Sequence, residues 1–289
     1  MLHELLEAVQ TILTKCHGLP EAIRNSTFRH ELEPYVFQIL NQEYGSFFHQ
    51  HWNTCTIPTV SEKAIVIVER RPHPNLQFCL QNAAYYCPGY AIHIVCSQEN
   101  LKFVQKIVED QLSNVHIHPV FEGVGTVSEG YKDYNEMLKT KAFWERFQEE
   151  HIITLETDCY FMKPLPESVY QYDYVASRWP WLSEQPGGGG LSYRKRSVML
   201  RICDEFEGKL TIPAQDAFVS HGIKQLGYKY PSLEENSNYF TECMYSQNAI
   251  GTHQWWTFIS QIFIGKNDTT EIVKHLHTVI LSYLVLKRE

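Results

Sequence analysis

Apolar positions recur along the chain first at helical and then at strand spacing. Leu2, Leu5, Leu6, Val9, Ile12 and Leu13 fall three or four residues apart, the stripe of an amphipathic helix. Pro20 opens a second helical stretch, and Glu31 to Gln50 reads as a third, rich in aromatics. At residue 64 the texture changes. Ala64 to Val68 is an unbroken β-branched run, the pattern of a parallel strand covered on both faces, and Glu69-Arg70-Arg71-Pro72 ends it. A helical segment over 74–87 precedes Pro88-Gly89 and a second strand, Ala91–Cys96. Leu101, Val104, Ile107, Val108 and Leu112 mark an amphipathic helix, and Val115–Phe121 alternates as a third strand. Tyr134 to Gln148 is helical again, and His151–Leu155 is a fourth buried strand.

Strand and helix therefore alternate, which predicts an α/β sandwich around a mostly parallel sheet. Residues 1–60 are expected to form a helical extension packed on the main unit, and 61–289 the main α/β domain with a helical tail. Beyond residue 160 the pattern loosens. Asp173–Ser177 reads as a strand, Trp179-Pro180-Trp181 as the start of a loop, and Arg194 to about Cys203 as a basic helix after Leu191-Ser192-Tyr193. Residues 214–226 read as helical, and Gly251–Trp256 begins a C-terminal region. In sheets of this kind ligands bind beyond the carboxyl ends of the strands, where Glu69-Arg70 and Glu156-Thr157-Asp158 fall.

Charge and composition narrow the partners. With 25 Lys and Arg against 33 Asp and Glu, the net charge is -8, which disfavours nucleic acid as a partner. The eight cysteines form no C-x-x-C pair and several lie in apolar runs, so buried thiols are expected rather than a zinc ribbon or disulfide framework. The first residues lack a signal peptide's basic start and apolar run, and Val279–Leu286 is far shorter than the roughly 20 residues of a membrane span. A cytoplasmic protein without a membrane span is the expectation.

Candidate chemistry centres on Glu156-x-Asp158. Two carboxylates just past a buried strand can turn toward one cation, and Mg²⁺ or Mn²⁺ favours such oxygens together with those of a phosphate. The alternative is a solvated acidic turn. Asp216, ahead of a helical stretch, is either a helix-terminal acid stabilised by the dipole or a general base. His253, before Trp255-Trp256, is either packed or a metal ligand. The pairs His49/His51, His116/His118 and His275/His277 read as structural; His116 and His118 would share one face of their strand, but no nearby carboxylate or cysteine completes a site there. Gly187–Gly190 lacks the spacing of a phosphate loop; it is either a flexible linker or a surface that lets a sugar approach beside Trp179 and Trp181.

Taken in order, these pieces resemble the GT-A class of nucleotide-sugar glycosyltransferases, whose core is a Rossmann-type α/β/α sandwich. The run Tyr134-Asn135…Phe143-Trp144 followed by Ile152 to Asp158 is similar to the helix before the metal motif and the strand that ends in D-x-D. Asp173 to Trp179, Gly188 to Arg194 and Gln215-Asp216-Ala217-Phe218 continue the likeness, which covers roughly residues 62–256. It is especially similar to a glycosyltransferase-like family, catalogued as a domain of unknown function, of large DNA viruses and fungi.

The resemblance implies transfer of a monosaccharide from a nucleoside diphosphate sugar to a hydroxyl of a glycan or glycoconjugate acceptor, with Mn²⁺ or Mg²⁺ bridging the donor diphosphate. Asp158 matches the last acid of D-x-D and Glu156 the first, lengthened by a methylene. His253 matches the late histidine of the metal site, and Asp216 the base of inverting members. Glu69, Arg70, Thr157, Gly189 and Gly190 are placed around the donor, Lys139 or Lys141 near a phosphate, and Trp179 and Trp181 on the acceptor side. Sugar-nucleotide nucleotidyl transfer is one alternative, although Glu69 to Pro72 has no glycine. A catalytically inactive carbohydrate-binding module of the same fold is another.

Overall fold

The computed structural model describes residues 2–16, 18–179, 184–242, 244–259 and 269–287. Among the described residues, strands and helices run in the order α1 (Leu2–Lys15), α2 (Glu21–Leu40), α3 (Ser46–Thr54), β1 (Lys63–Val68), α4 (Leu76–Tyr86), β2 (Ala91–Ser97), α5 (Leu101–Ile107), β3 (Val115–Phe121), α6 (Val127–Leu138) and α7 (Lys141–Trp144). They continue as β4 (His151–Leu155), β5 (Cys159–Phe161), β6 (Tyr174–Ala176), β7 (Leu191–Lys195), α8 (Arg196–Phe206), α9 (Gln215–Gln225), α10 (Leu233–Asn236), β8 (Phe240–Thr241), β9 (Gly251–His253) and α11 (Thr269–Leu284).

The main sheet has the order β3-β2-β1-β4-β7-β6. Its first four strands are parallel, with Ile65 opposite Ile92 and Ile153, and β7 and β6 complete it antiparallel. The core strands are apolar throughout because both faces are covered: β2 is buried at every position. One face packs on α1–α4 and α11 through Leu32, Phe37, Phe48 and Trp256; the other packs on α6–α9 through Trp144, Met199 and Phe218. The α/β sandwich with a mostly parallel sheet is thus the observed architecture. A small second sheet, β5-β9-β8, follows β4 and places β9 beside the end of β4.

Several boundaries differ from the pattern. The helix expected to start at Glu31 is part of α2, which carries Pro34 inside it and runs through a π turn (Asn41–Gly45) into α3. Tertiary packing of Leu32, Val36 and Phe37 on the sheet overrides the break that proline favours. Upstream of Tyr134, α6 begins at Val127 because Thr126 and Glu129 form a reciprocal capping box. Arg194 belongs to β7 rather than a basic helix and is fully buried, its guanidinium facing the Trp144 and Tyr174 rings. Among the described residues no helix is long and apolar enough to cross a membrane. The seven described cysteines are free thiols, and Cys243 lies outside the described residues.

The His116/His118 pair needs a correction. A carboxylate does lie near: Glu149 contacts His93 at 3.1 Å, and the other nitrogen of His93 meets His118 at 3.0 Å. Burial, then the neighbouring His93 and His116, holds His118 down at about 4, so it is neutral near pH 7. The His93 imidazole thus bridges Glu149 and His118 and has neither of its own nitrogens left for a cation.

Candidate active site

Because β1 and β4 are parallel, Glu69 and the segment Glu156–Asp158 emerge at one sheet edge, and β7 delivers Gly189-Gly190 beside them from the opposite direction. Glu156 N–H donates to the Gly190 carbonyl at 2.9 Å, fixing the start of the turn. A cavity of about 400 Å³ opens there, lined among others by Glu69, Glu156, Asp158, Asp216, Glu242 and His253.

His253 is the hub. β9 pairs with β5 so that His253 stands opposite Cys159, the residue after Asp158. Its Nε2 lies 3.2 Å from Asp158 Oδ1 and 3.6 Å from Glu156 Oε2, while Nδ1 lies 3.4 Å from Glu242 Oε1. Neither buried nitrogen makes a well-formed hydrogen bond. Burial opposes a charge on the ring, yet the carboxylates of Asp158 and Glu242 around it hold its pKa well above the ordinary imidazole value. Burial likewise opposes ionisation of Asp158, but the charge of His253 holds its carboxyl well below the usual range. A proton on His253 and a cation are alternative ways of balancing the same carboxylates.

The donor set fits a hard divalent cation: carboxylate oxygens and one imidazole converge, and the imidazole is left without a hydrogen-bonded partner. Cys159 lies in the same cluster, but burial keeps its thiol protonated and it donates to the Gly190 carbonyl at 3.1 Å, so it is not an available ligand. Asp158 is oriented on its second oxygen by the Gln254 side-chain amide. Gln254 itself adopts a left-handed backbone (φ 48°), a strained conformation for a residue with a side chain, held here by its N–H to the Asp158 carbonyl at 3.2 Å. Glu156 accepts from the Tyr134 hydroxyl at 2.8 Å, which turns one of its oxygens away from His253.

The four glycines are not a linker. All are buried, and each is tight against a neighbour. At Gly190 a Cβ would fall 2.4–2.6 Å from the His253 ring, and at Gly189 it would fall 2.1 Å from Gln215 Nε2. Gly190→Ala is therefore expected to displace the imidazole. A drop in Tm and a cation affinity about 10- to 100-fold weaker should follow, read by thermal melting and Mn²⁺ titration.

Asp216 lines the cavity as the second residue of α9, accepting from Ala217 N–H at 2.7 Å. Burial and the charges of Glu242 and Glu156 raise its pKa despite that bond. Gln215 anchors the helix start, donating its N–H to Asn135 Oδ1 at 2.7 Å and accepting from Arg194 Nη2 at 2.9 Å.

Other sequence candidates take different places. Glu69 is buried and accepts two bonds from the Arg71 guanidinium and one from Thr157 Oγ1 at 3.1 Å, so Thr157 ties β4 to β1. Arg70 lines the cavity but donates to the Gly123 carbonyl at 2.6 Å and pairs with Asp133, holding the segment before α6. Lys139 and Lys141 are not among the lining residues. Lys139 Nζ is spent on Glu136 and the Ile212 carbonyl, both at 2.8 Å, and Lys141 Nζ reaches Asp204 at 2.7 Å on the surface. Trp179 borders a smaller hollow with His221 and Lys224, on the side of α9 where Ala217 lies. Trp181 lies outside the described residues.

A family model described as "Protein of unknown function (DUF5672)" matches residues 124–256, a span that takes in α6, β4, Asp216 and His253. No curated protein matches the chain. Among solved structures, the chain is similar to mouse xyloside xylosyltransferase 1 in its apo form, with 11% identity and a TM-score of 0.41 over 73% of this chain and 93% of that one. It is also similar to the apo form of the glycosyltransferase GlyE of Streptococcus pneumoniae TIGR4, with 11% identity and a TM-score of 0.42 over 76% of this chain. The chain spans 62% of the length of that second structure.

Sequence reasoning missed Glu242, Tyr134 and the whole contribution of α2. Arg29, His30 and Glu33 of that helix line the cavity. Glu33 accepts from Asn75 Nδ2 at 2.7 Å, and burial followed by the charge of Asp158 raises its pKa from 4.5 to about 7. The folded state thus holds this proton more tightly than the unfolded chain, so stability falls as pH rises from 4.5 to about 7. Glu33→Gln should remove that slope, which Tm measured across this window with chelator present will show.

Proposed function

We propose that the protein is a metal-dependent glycosyltransferase that moves a monosaccharide from a nucleoside diphosphate sugar to an acceptor hydroxyl, with Asp216 as base. The observation that carries this reading is the position of His253. A buried imidazole without a hydrogen-bonded partner stands among Asp158, Glu156 and Glu242, in a cavity beyond the carboxyl ends of parallel strands. Asp158 and His253 would hold Mn²⁺ or Mg²⁺, with Glu156 at its edge. When bound, the ion supplies positive charge to the departing diphosphate.

The chain's own residues do the rest. Gln254 fixes the rotamer of Asp158, and Tyr134 fixes that of Glu156. Asp216, its pKa raised toward the range where a carboxylate accepts a proton usefully, would take the proton of the acceptor hydroxyl as that oxygen attacks the anomeric carbon. Gly189 and Gly190, free of side chains, let the Gln215 amide and the His253 ring pack directly on the backbone, which holds both beside the cavity. Trp179, which lines a hollow with Ala217 of α9, would meet the acceptor on that side. Nucleotidyl transfer would need a basic loop after β1 free to grip a triphosphate, but Arg70 and Arg71 there are each committed to protein groups.

The test is a panel of nucleoside diphosphate sugars with Mn²⁺, monitored for release of the nucleoside diphosphate. Slow hydrolysis of at least one donor, abolished by chelator, is the expected outcome. Donor binding without release from any member of the panel points instead to an inactive binding module.

A further inference from the structure

The cavity is strongly acidic for a site meant to receive a diphosphate. Glu33, Glu69, Glu156, Asp158, Asp216 and Glu242 all line it. A ligand carrying negative phosphates needs cationic partners there, and the basic residues nearest β1 are already engaged. Arg71 is forked onto Glu69, and Arg70 is held by the Gly123 carbonyl and Asp133. Lys139 and Lys141 point elsewhere.

Arg29 is the exception. It arises from α2, in the N-terminal helical layer, and lines the cavity. Two contacts fix it: its backbone carbonyl accepts from Trp256 Nε1 at 2.9 Å, and its Nε donates to Gln254 Oε1. The same Gln254 side chain donates to Asp158. The order guanidinium, amide, carboxylate also fixes which way the amide points, since a guanidinium can only donate and a carboxylate can only accept. α2 is held against this corner by Phe37, whose ring meets that of Trp256 edge-on at 6.2 Å. Among the described residues the two terminal nitrogens of Arg29 make no hydrogen bond and no ion pair, although the side chain lines the cavity.

We infer that Arg29 is the protein's phosphate-binding cation: its Nε braces Gln254 against Asp158, and its free Nη groups hold the diphosphate of the donor, so the N-terminal helices form part of the substrate site. The inference rests on the proposed use of a nucleoside diphosphate donor. A guanidinium anchored through Nε presents its remaining donors as a planar fork, which matches two phosphate oxygens and costs little ordering on binding. It would also sit next to the ion-binding carboxylate, where the leaving group's charge accumulates.

Titration calorimetry of the full chain with inorganic pyrophosphate at saturating Mg²⁺ tests this, alongside Mn²⁺ titration without pyrophosphate. Arg29→Ala should weaken pyrophosphate by about 10- to 100-fold and Mn²⁺ by only a few-fold, the smaller loss coming from the missing brace on Gln254. Arg29→Lys keeps the charge without the fork, and should fall between wild type and the alanine variant even if that variant proves poorly folded. Equal pyrophosphate affinity in wild type and both variants would overturn the assignment of Arg29 while leaving the glycosyltransferase reading intact. Parallel losses of pyrophosphate and Mn²⁺ affinity would overturn it too, because Arg29 would then act through Asp158 alone. If the wild-type chain binds no pyrophosphate with Mg²⁺, the proposed function falls, and this inference with it.

Discussion

Asp158→Asn is expected to lower kcat/KM for the donor by about 10³-fold or more, with the fold retained. The substitution keeps shape and still offers an oxygen to the Gln254 amide, so the strained turn at Gln254 keeps its support. What it removes is the charge that His253 shares at 3.2 Å, and with it the main carboxylate for a divalent cation. Loss of several kcal/mol of charge stabilisation in the transition state corresponds to about that factor in rate. Steady-state kinetics at varied Mn²⁺ will check it, and raising Mn²⁺ should recover only part of the loss. A rate within a few-fold of wild type at all metal concentrations contradicts the assignment. Glu156→Gln should cost less, because one Glu156 oxygen is already occupied by Tyr134 and the other stands farther from His253, at 3.6 Å.

The second large effect belongs to Asp216. Asp216→Asn is expected to reduce kcat by about 10²- to 10⁴-fold, the range for loss of a positioned general base. Burial and the charges of Glu242 and Glu156 raise its pKa, so the wild-type rate should fall with decreasing pH at a point above the ordinary carboxylate range. The base must be ionised to work, which sets the sign: activity is present above the folded pKa and lost below it. Stability has the opposite sign. The folded state favours the protonated acid, so the ionised carboxylate costs stability as pH rises through the same window. The asparagine variant should accordingly melt no lower than wild type at neutral pH while losing the acid limb of its rate profile. A pH–rate profile and a melting curve on the same two proteins check both halves. A wild-type profile that stays flat down to the ordinary aspartate value of 3.8 would count against Asp216 as base.

Much of the fold was legible because burial on both faces leaves a plain signature. Ala64–Val68, Ala91–Cys96 and His151–Leu155 are apolar runs that only a covered parallel strand explains, and all three pair as such. The ends of these strands also located the cavity, so Glu156, Asp158, Asp216 and His253 meet in one place despite wide separation in sequence. The remainder depends on contacts that leave no local pattern. Arg29 and Glu33 sit one turn apart on α2, indistinguishable in sequence from the polar face of any surface helix. Glu242 follows a two-residue strand that forms only because β9 pairs beside it. The glycine run reads as a linker by composition, and only the His253 ring and the Gln215 amide against it show that side chains have no room. The lysines misled for a related reason: both lie near the metal strand in sequence, but each finds a closer protein acceptor on another element.

Calorimetric titration of the wild-type chain with nucleoside diphosphates, with and without Mn²⁺, bears most directly on the site formed by Asp158, Glu156 and His253. At least one nucleoside diphosphate should bind in the micromolar range with Mn²⁺ present and at least about tenfold more weakly without it, and Asp158→Asn should abolish the difference. Absence of binding across the panel, or binding that neither Mn²⁺ nor the loss of Asp158 changes, would contradict the account.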